Sequence, residues 1–253
     1  MLSYYMKTIN LSMINKKYLP KICVSIAVGD PEALKKEINR AFCFGADYVE
    51  IRFDYLKLSD IERVIKIAKL VGTKSVFTLR ASEEGGKFKG STTDRILWLK
   101  KLSLAKPMLL DVEFKTIKDN TDFADYLRQQ KIPILVSWHD FEKTPSDDEL
   151  SDLLEKMRIY SNYIKIVTTA KNTQDALRLL DLYETAIGLN LIAFAMGEAG
   201  IISRILCTMF GNAPFTYAAL EKAISPGQLT IKQMRKLYDR IIFLSSRAHA
   251  KPS

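Results

Sequence analysis

Short β-branched runs alternate with longer amphipathic stretches eight times along this chain, and few folds accommodate that rhythm. The runs are "KICVSIAV" (21–28), "YVEIRFDY" (48–55), "KSVFTLR" (74–80), "MLLDVEF" (108–114), "PILVSWHD" (133–140), "YIKIVTT" (163–169), "NLIAFAM" (190–196) and "FTYAAL" (215–220). β-branched and aromatic residues suit a pleated, half-buried surface. Helical spacing fills the gaps, over 30–45, 59–72, 92–105, 121–130, 147–160, 172–185, 200–211 and 229–244. In "DPEALKKEINRAFCFG" the apolar positions Leu34, Ile38, Ala41 and Phe42 share a face, with Pro31 in the first turn and Gly45 at the end. "SDIERVIKIAKLVG" repeats the scheme, with Ser59 as N-cap and Gly72 as stop.

Such a series without a linker predicts an α/β fold, a (β/α)8 TIM barrel forming a single domain over residues 21–245. Residues 1–20, where Ile9, Leu11 and Met13 alternate, are expected to form an N-terminal extension capping the barrel floor. Residues 246–253, which include His249, are expected to be a flexible C-terminal tail. A doubly wound open sheet is the alternative, but its dinucleotide-binding versions carry GxGxxG after the first strand. Here that strand runs into "VGDPEA", with one glycine.

Composition narrows the function classes. The chain has 253 residues, 47% of them hydrophobic and 26% charged, enough to bury a sizeable core. Its net charge of +9 comes from lysines dispersed on helix faces ("KKEINR", "KIAKL", "LKKL", "KQMRK") without interleaved aromatics. That pattern fits solvated surfaces, and argues against nucleic acid as a partner. Cys23, Cys43 and Cys207 form no CxxC pair and read as reduced core thiols. No apolar run approaches a membrane span, and the first 20 residues lack a secretory h-region. A cytoplasmic location without membrane association is the expectation.

Successive side chains of a strand point to opposite faces. In "YVEIRFD", Val49, Ile51 and Phe53 take one face, and Glu50, Arg52 and Asp54 take the other. With helices outside, the charged face points into the barrel. Thr78 and Arg80, Asp111 and Glu113, Ser137 and His139, and Lys165 fall on the same face of their strands. Barrel enzymes build their sites at the carboxyl ends of such strands. A structural ion network is the bland alternative. Metal binding is disfavoured, for there is no HExxH, no second interior histidine and no cysteine pair.

Lys165 is the most unusual of these residues, since it stands between Ile164 and Ile166 in a strand that reads as buried. An ordinary lysine amine is uncharged only about once in 2,500 molecules at pH 7. Burial and neighbouring cations favour the uncharged amine, and Arg52 and Arg80 are the expected neighbours. The natural chemistry is imine formation with a carbonyl substrate, followed by carbon–carbon cleavage or by loss of a β-hydroxyl.

The segments "EIRFD" (50–54), "FTLRASEEGG" (77–86), "DVE" (111–113), "SWHDF" (137–141), "IKIV" (164–167), "MGEAGIISR" (196–204) and "SPGQ" (225–228) occur in the order of one family. Together they make the chain resemble the type I 3-dehydroquinate dehydratases, imine-forming enzymes of the shikimate pathway. The resemblance implies dehydration of 3-dehydroquinate, a small carboxylate, with no cofactor and in a homodimer. It implies that Lys165 forms the imine, that His139 moves the protons and that Glu84 orients His139. It assigns the ring hydroxyls to Glu50 and Arg52. Substrate binding falls to Arg80, Arg204, Gln228 and Ser225, with Arg204 on the carboxylate, where a bidentate guanidinium contact is apt. Phe194 and Met196 supply apolar contact, and the "EEGG" and "SPGQ" loops close over the substrate.

Two departures stand out. Ile224 occupies the place of the usual loop serine, and whether Ser225, one position later, takes over its contact is left open by the sequence. In "GNAPFTYAAL" either Phe215 or Tyr217 lines the pocket. A class I aldolase is the nearest rival, but sugar-phosphate aldolases carry a glycine-rich cradle where this chain offers Arg204 and Gln228.

Overall fold

The computed structural model describes residues 19–248, with side chains through residue 244. Strands β1 (Ile22–Ile26), β2 (Tyr48–Arg52), β3 (Ser75–Thr78), β4 (Leu109–Glu113), β5 (Ile134–His139), β6 (Tyr163–Thr169), β7 (Asn190–Met196) and β8 (Thr216–Ala219) form one parallel sheet. Its order is β7-β6-β5-β4-β3-β2-β1-β8, so β1 to β7 pair in sequence order and β8 returns to β1. Among the described residues β7 and β8 share no ladder, and the barrel is nearly closed.

Helices α1 (Pro31–Cys43), α2 (Ile61–Ala68), α3 (Thr92–Ser103), α4 (Phe114–Asp119), α5 (Thr121–Gln129), α6 (Asp147–Met157), α7 (Thr173–Thr185), α8 (Ile201–Leu206) and α9 (Ile231–Ala248) connect the strands and follow the last one. Local chemistry sets their starts. Asp30 accepts from Ala33 N ahead of Pro31, while Ser91 with Asp94 and Ser146 with Glu149 form reciprocal caps on α3 and α6. Arg235 of α9 donates to Pro20 O and Asp47 Oδ2, and Asp47 in turn accepts from Ile22 N, which ties the last helix to the first strand.

The core has two shells. Val49, Ile51, Phe77, Val112, Ile164 and Ile166 face outward into the helices. Cys23, Val76, Leu109, Leu135 and Ile192 fill the lower barrel with Phe215. Above this apolar plug the interior turns polar, because the next inward positions are Ser25, Glu50, Thr78, Asp111, Ser137 and Lys165.

Several local expectations need correction. Strand β2 stops at Arg52, and Phe53–Tyr55 form a 3-10 turn, so Asp54 folds back onto Arg52 instead of continuing the strand face. Ser59 lies inside a 3-10 turn, and α2 begins at Ile61 with no side-chain cap. That helix ends at Ala68, before a 3-10 stretch that contains Gly72. Phe114 starts the short helix α4 and is not a strand residue. Cys23 and Cys207 are buried, but Cys43 falls off the buried Leu34–Ile38–Ala41 stripe and is exposed. The floor cap expected from residues 1–20 lies outside the described residues, save Leu19 and Pro20. The last helix runs to Ala248, into the span expected as a tail, and His249 is outside the described residues.

Candidate active site

A pocket with about 90 Å³ of room for water-sized molecules, partly open to solvent, sits at the carboxyl ends of the strands. Glu50, Arg52, Arg80, Glu84, His139, Lys165, Phe194, Met196, Arg204, Ser225 and Gln228 all line it, so the residues to which the family resemblance gave a catalytic or binding role meet in one place. Register explains why. Ser137 pairs with Lys165, and two residues further on His139 pairs with Val167, which pairs with Phe194.

At the cavity base Lys165 Nζ donates to Asp111 Oδ2 at 2.7 Å and stands 3.6 Å from Glu50 Oε1. The expected surround of guanidinium groups is therefore corrected: two carboxylates lie against the amine. Asp111 is shared, for Arg80 Nη2 donates to both its oxygens at 2.7 Å and Ser137 Oγ donates to Oδ1 at 2.7 Å. Burial works to raise the Asp111 carboxyl, but Arg80 and Lys165 outweigh it and hold the group well below the usual carboxylate range. Arg80 Nη1 also donates to Ser137 Oγ and lies 3.3 Å from Glu113 Oε1. Protein acceptors thus engage both terminal nitrogens of Arg80, which makes it first a brace for Asp111.

His139 Nδ1 lies 2.9 Å from Glu84 Oε2. Burial, then Arg80 and Lys165, push the imidazole well below its ordinary value. Burial pushes the Glu84 carboxyl up to about 8, against the pull of Arg80. The pair is a proton store whose Nδ1 contact fixes the ring tautomer, leaving Nε2 for a reacting atom. Glu84 reaches the histidine through a tight turn in which Gly85 has φ +74° and packs on Phe141, whose ring stacks on His139.

Arg204 is 1% exposed, and its Nε and Nη2 have no hydrogen-bond partner among the described residues. Its guanidinium lies 4.1 Å from the centroid of the Phe194 ring, and burial pulls its pKa down to about 10. A buried cation without a counter-ion is costly, so this one is poised for an anion. Gln228 Oε1 accepts from Ile224 N at 2.9 Å, which leaves its NH2 group to offer a ligand. The loop is seated on β7, with Gly197 N donating to Pro226 O. A Cβ at Gly227, whose φ is +70°, would stand 2.3 Å from Gly197 O, so glycine is required there. Ile224 and Ser225 both line the cavity. Arg52 is held by Asp54 through two contacts of 2.8 Å.

Of the two aromatic alternatives, Tyr217 lines the cavity, and Phe215 belongs to the plug below. Sequence reasoning gave no part in the site to Ser25, Phe141 or Val167, which also line the cavity beside Gly85 of the "EEGG" loop. It likewise gave none to Asp111 as the partner of Lys165. Ser25 and Asp111 were detectable as polar residues on inward strand positions, whereas Phe141 lies beyond β5 and shows no periodic signal.

A parallel barrel whose polar cavity holds an amine, an imidazole–carboxyl pair and an unpartnered guanidinium defines a barrel enzyme acting on an anionic small molecule. The family is narrower. The profile of the type I 3-dehydroquinases matches residues 22–244, and the chain belongs to that family. It is 33% identical over 226 residues to a 3-dehydroquinate dehydratase of Desulfotalea psychrophila, covering 87% of this chain and 97% of that protein. Identity is 37% over 225 residues with the enzyme of that name from Dehalococcoides mccartyi, covering 88% and 96%. The crystal structure of the 3-dehydroquinate dehydratase from Aquifex aeolicus superposes with a TM-score of 0.73 at 28% identity, over 87% of this chain and 98% of that one.

Proposed function

We propose that this chain dehydrates 3-dehydroquinate to 3-dehydroshikimate through an imine on Lys165, a step of the shikimate pathway towards chorismate and the aromatic amino acids. The observation that carries the reading is the enclosure of Lys165, the His139–Glu84 pair and the partnerless Arg204 in one cavity. Family membership supports it.

In this reading the substrate carboxylate pairs with Arg204 and brings the ketone against Lys165. The ammonium gives up a proton, and the free amine attacks the ketone carbon. The resulting carbinolamine takes a proton on oxygen and loses water, leaving a protonated imine. That cation draws electrons from the adjacent carbon, so His139 Nε2 removes a proton there and an enamine forms. The enamine electrons then expel the β-hydroxyl, which takes the His139 proton and leaves as a second water. Water adds back to the conjugated imine, releasing the enone and restoring the lysine. Glu50 and Arg52 hold the ring hydroxyls, Gln228 and Ser225 close the far side, and Phe194 and Met196 pack on the ring.

The product is a conjugated enone and the substrate is not, so turnover is followed directly by ultraviolet absorbance. The wild-type protein should convert 3-dehydroquinate, and Lys165→Ala should abolish conversion while leaving the circular dichroism spectrum unchanged. No conversion by the wild type, or full activity in the variant, would sink the proposal.

A homodimer, a cytoplasmic location and no affinity for nucleic acid are part of the same proposal. Among the described residues no helix is long and apolar enough to cross a membrane. Sedimentation, cell fractionation and DNA mobility at moderate salt test these three points.

A further inference from the structure

We propose that the aromatic face of Tyr217 is a catalytic group that stabilises the positively charged imine of Lys165. This inference rests on the Schiff-base reading given above and adds to it a residue acting on the reacting nitrogen. Tyr217 projects from β8 into the cavity, with Lys165 Nζ 4.8 Å from its ring centroid. Two other rings fix its attitude: Phe194 at 6.2 Å and a 56° tilt, and Phe215 at 5.6 Å and 69°. The phenol oxygen is buried and has no hydrogen-bond partner among the described residues. No hydroxyl contact therefore anchors this residue, and what it presents to the amine is a π face.

The reaction changes what the nitrogen needs. In the resting ion pair the ammonium has three N–H groups, and it directs its charge at Asp111 and Glu50. Condensation with the ketone consumes the amine, the carbonyl and one proton, and yields the protonated imine and one water. The imine nitrogen keeps a single N–H, so it can hydrogen-bond to only one of those carboxylates at a time. Its charge also spreads onto the former ketone carbon. A delocalised, weakly hydrated cation of this kind is what aromatic faces attract best. The ring interaction thus gains weight as the hydrogen bonds of the ammonium are lost. Only an interaction that strengthens along the reaction speeds it.

The test compares wild type, Tyr217→Leu and Tyr217→Phe under saturating 3-dehydroquinate, measuring kcat, KM and the fraction of protein trapped by borohydride. The Leu variant should lose about tenfold or more in kcat, as expected for a desolvated cation–π contact, with a smaller change in KM and a lower trapped fraction. Tyr217→Phe should restore most of that loss, because it keeps the ring. Phenylalanines of increasing fluorination at position 217 drain the ring face at nearly constant shape, and each added fluorine should lower kcat further. That series also decides the matter should the Leu variant fail to fold. A Leu variant that matches wild type, a Phe variant as impaired as Leu, or a flat fluorination series would overturn the inference. If wild type itself gives no adduct on Lys165, the Schiff-base reading has failed. If wild type is trapped there and the variants behave alike, only the role of Tyr217 has failed.

Discussion

Lys165 and Asp111 form a buried ion pair, with Nζ 2.7 Å from Oδ2, at the junction between the apolar plug and the cavity. Asp111 simultaneously holds Arg80, so one carboxylate bridges two cations that are 4% and 3% exposed, with Glu50 beside Lys165 and Glu113 beside Arg80. Removing one partner from a buried pair leaves the other uncompensated, which typically costs about 3–5 kcal/mol. Asp111→Asn should therefore lower stability by an amount of that order in chemical denaturation. It should also cut turnover, since Arg80 and Lys165 lose the group that separates them. A variant as stable and active as wild type would show that the bridge is dispensable.

Glu84 gives a signed pH dependence. Its carboxyl is pushed up to about 8, first by burial, from an ordinary value of about 4.3. A carboxyl with a raised folded value binds its proton more tightly when folded, so stability falls as pH rises between those two values. Glu84→Gln has no such proton to lose. Its melting temperature should match or trail wild type near pH 4 and overtake it by pH 9. In the same window kcat/KM of wild type should climb with pH, as the ionised carboxylate comes to accept Nδ1–H of His139 and frees Nε2 as base. The Gln variant should lose that limb.

Arg204 sets stability against binding. Its guanidinium is buried with two nitrogens unpartnered, so Arg204→Met relieves a desolvated charge. The variant should melt no lower than wild type, and it should bind substrate far more weakly. A charged hydrogen bond contributes about 1.5–3 kcal/mol, so KM should rise roughly ten- to over a hundredfold. Thermal shifts with 3-dehydroquinate should be large for wild type and nearly absent for the variant.

Gly85 places Glu84. Its φ is +74°, and a methyl carbon added there would stand 2.6 Å from Phe141 Cζ, which leaves no room for a side chain. Gly85→Ala should displace Glu84 from His139 and lower kcat by about tenfold or more, within the range for impaired general acid–base catalysis. Adding Phe141→Ala should recover part of the loss, because it removes the clash but not the unfavourable backbone angle. A double variant worse than the product of the two single effects would contradict this arrangement.

Much of this was legible in the sequence because a strand alternates with period two. Lys165 between two isoleucines, and Glu50 and Arg52 on the face opposite Val49 and Ile51, fixed which side chains turn inward. Height along the barrel was not legible. Phe215 and Tyr217 share an inward face, and only the stagger between β8 and β1, where Tyr217 lies beside Cys23, decides which reaches the cavity. The register of β3 on β4 sets Thr78 beside Asp111 and carries Arg80 on to the Asp111 carboxylate. Asp54 misled the alternation because the chain turns after Arg52, and the side chain folds back to hold Arg52 instead of lining the cavity. Phe141 and Gly85 contribute through a contact between two loops, which no local pattern encodes.

The most direct measurement is to incubate the protein with 3-dehydroquinate, add borohydride, digest, and locate the mass increment. A reduced substrate adduct on the peptide carrying Lys165, absent when substrate is omitted and absent from Lys165→Ala, is the expected result. An adduct on another lysine, or turnover without any adduct, would contradict the account at its centre.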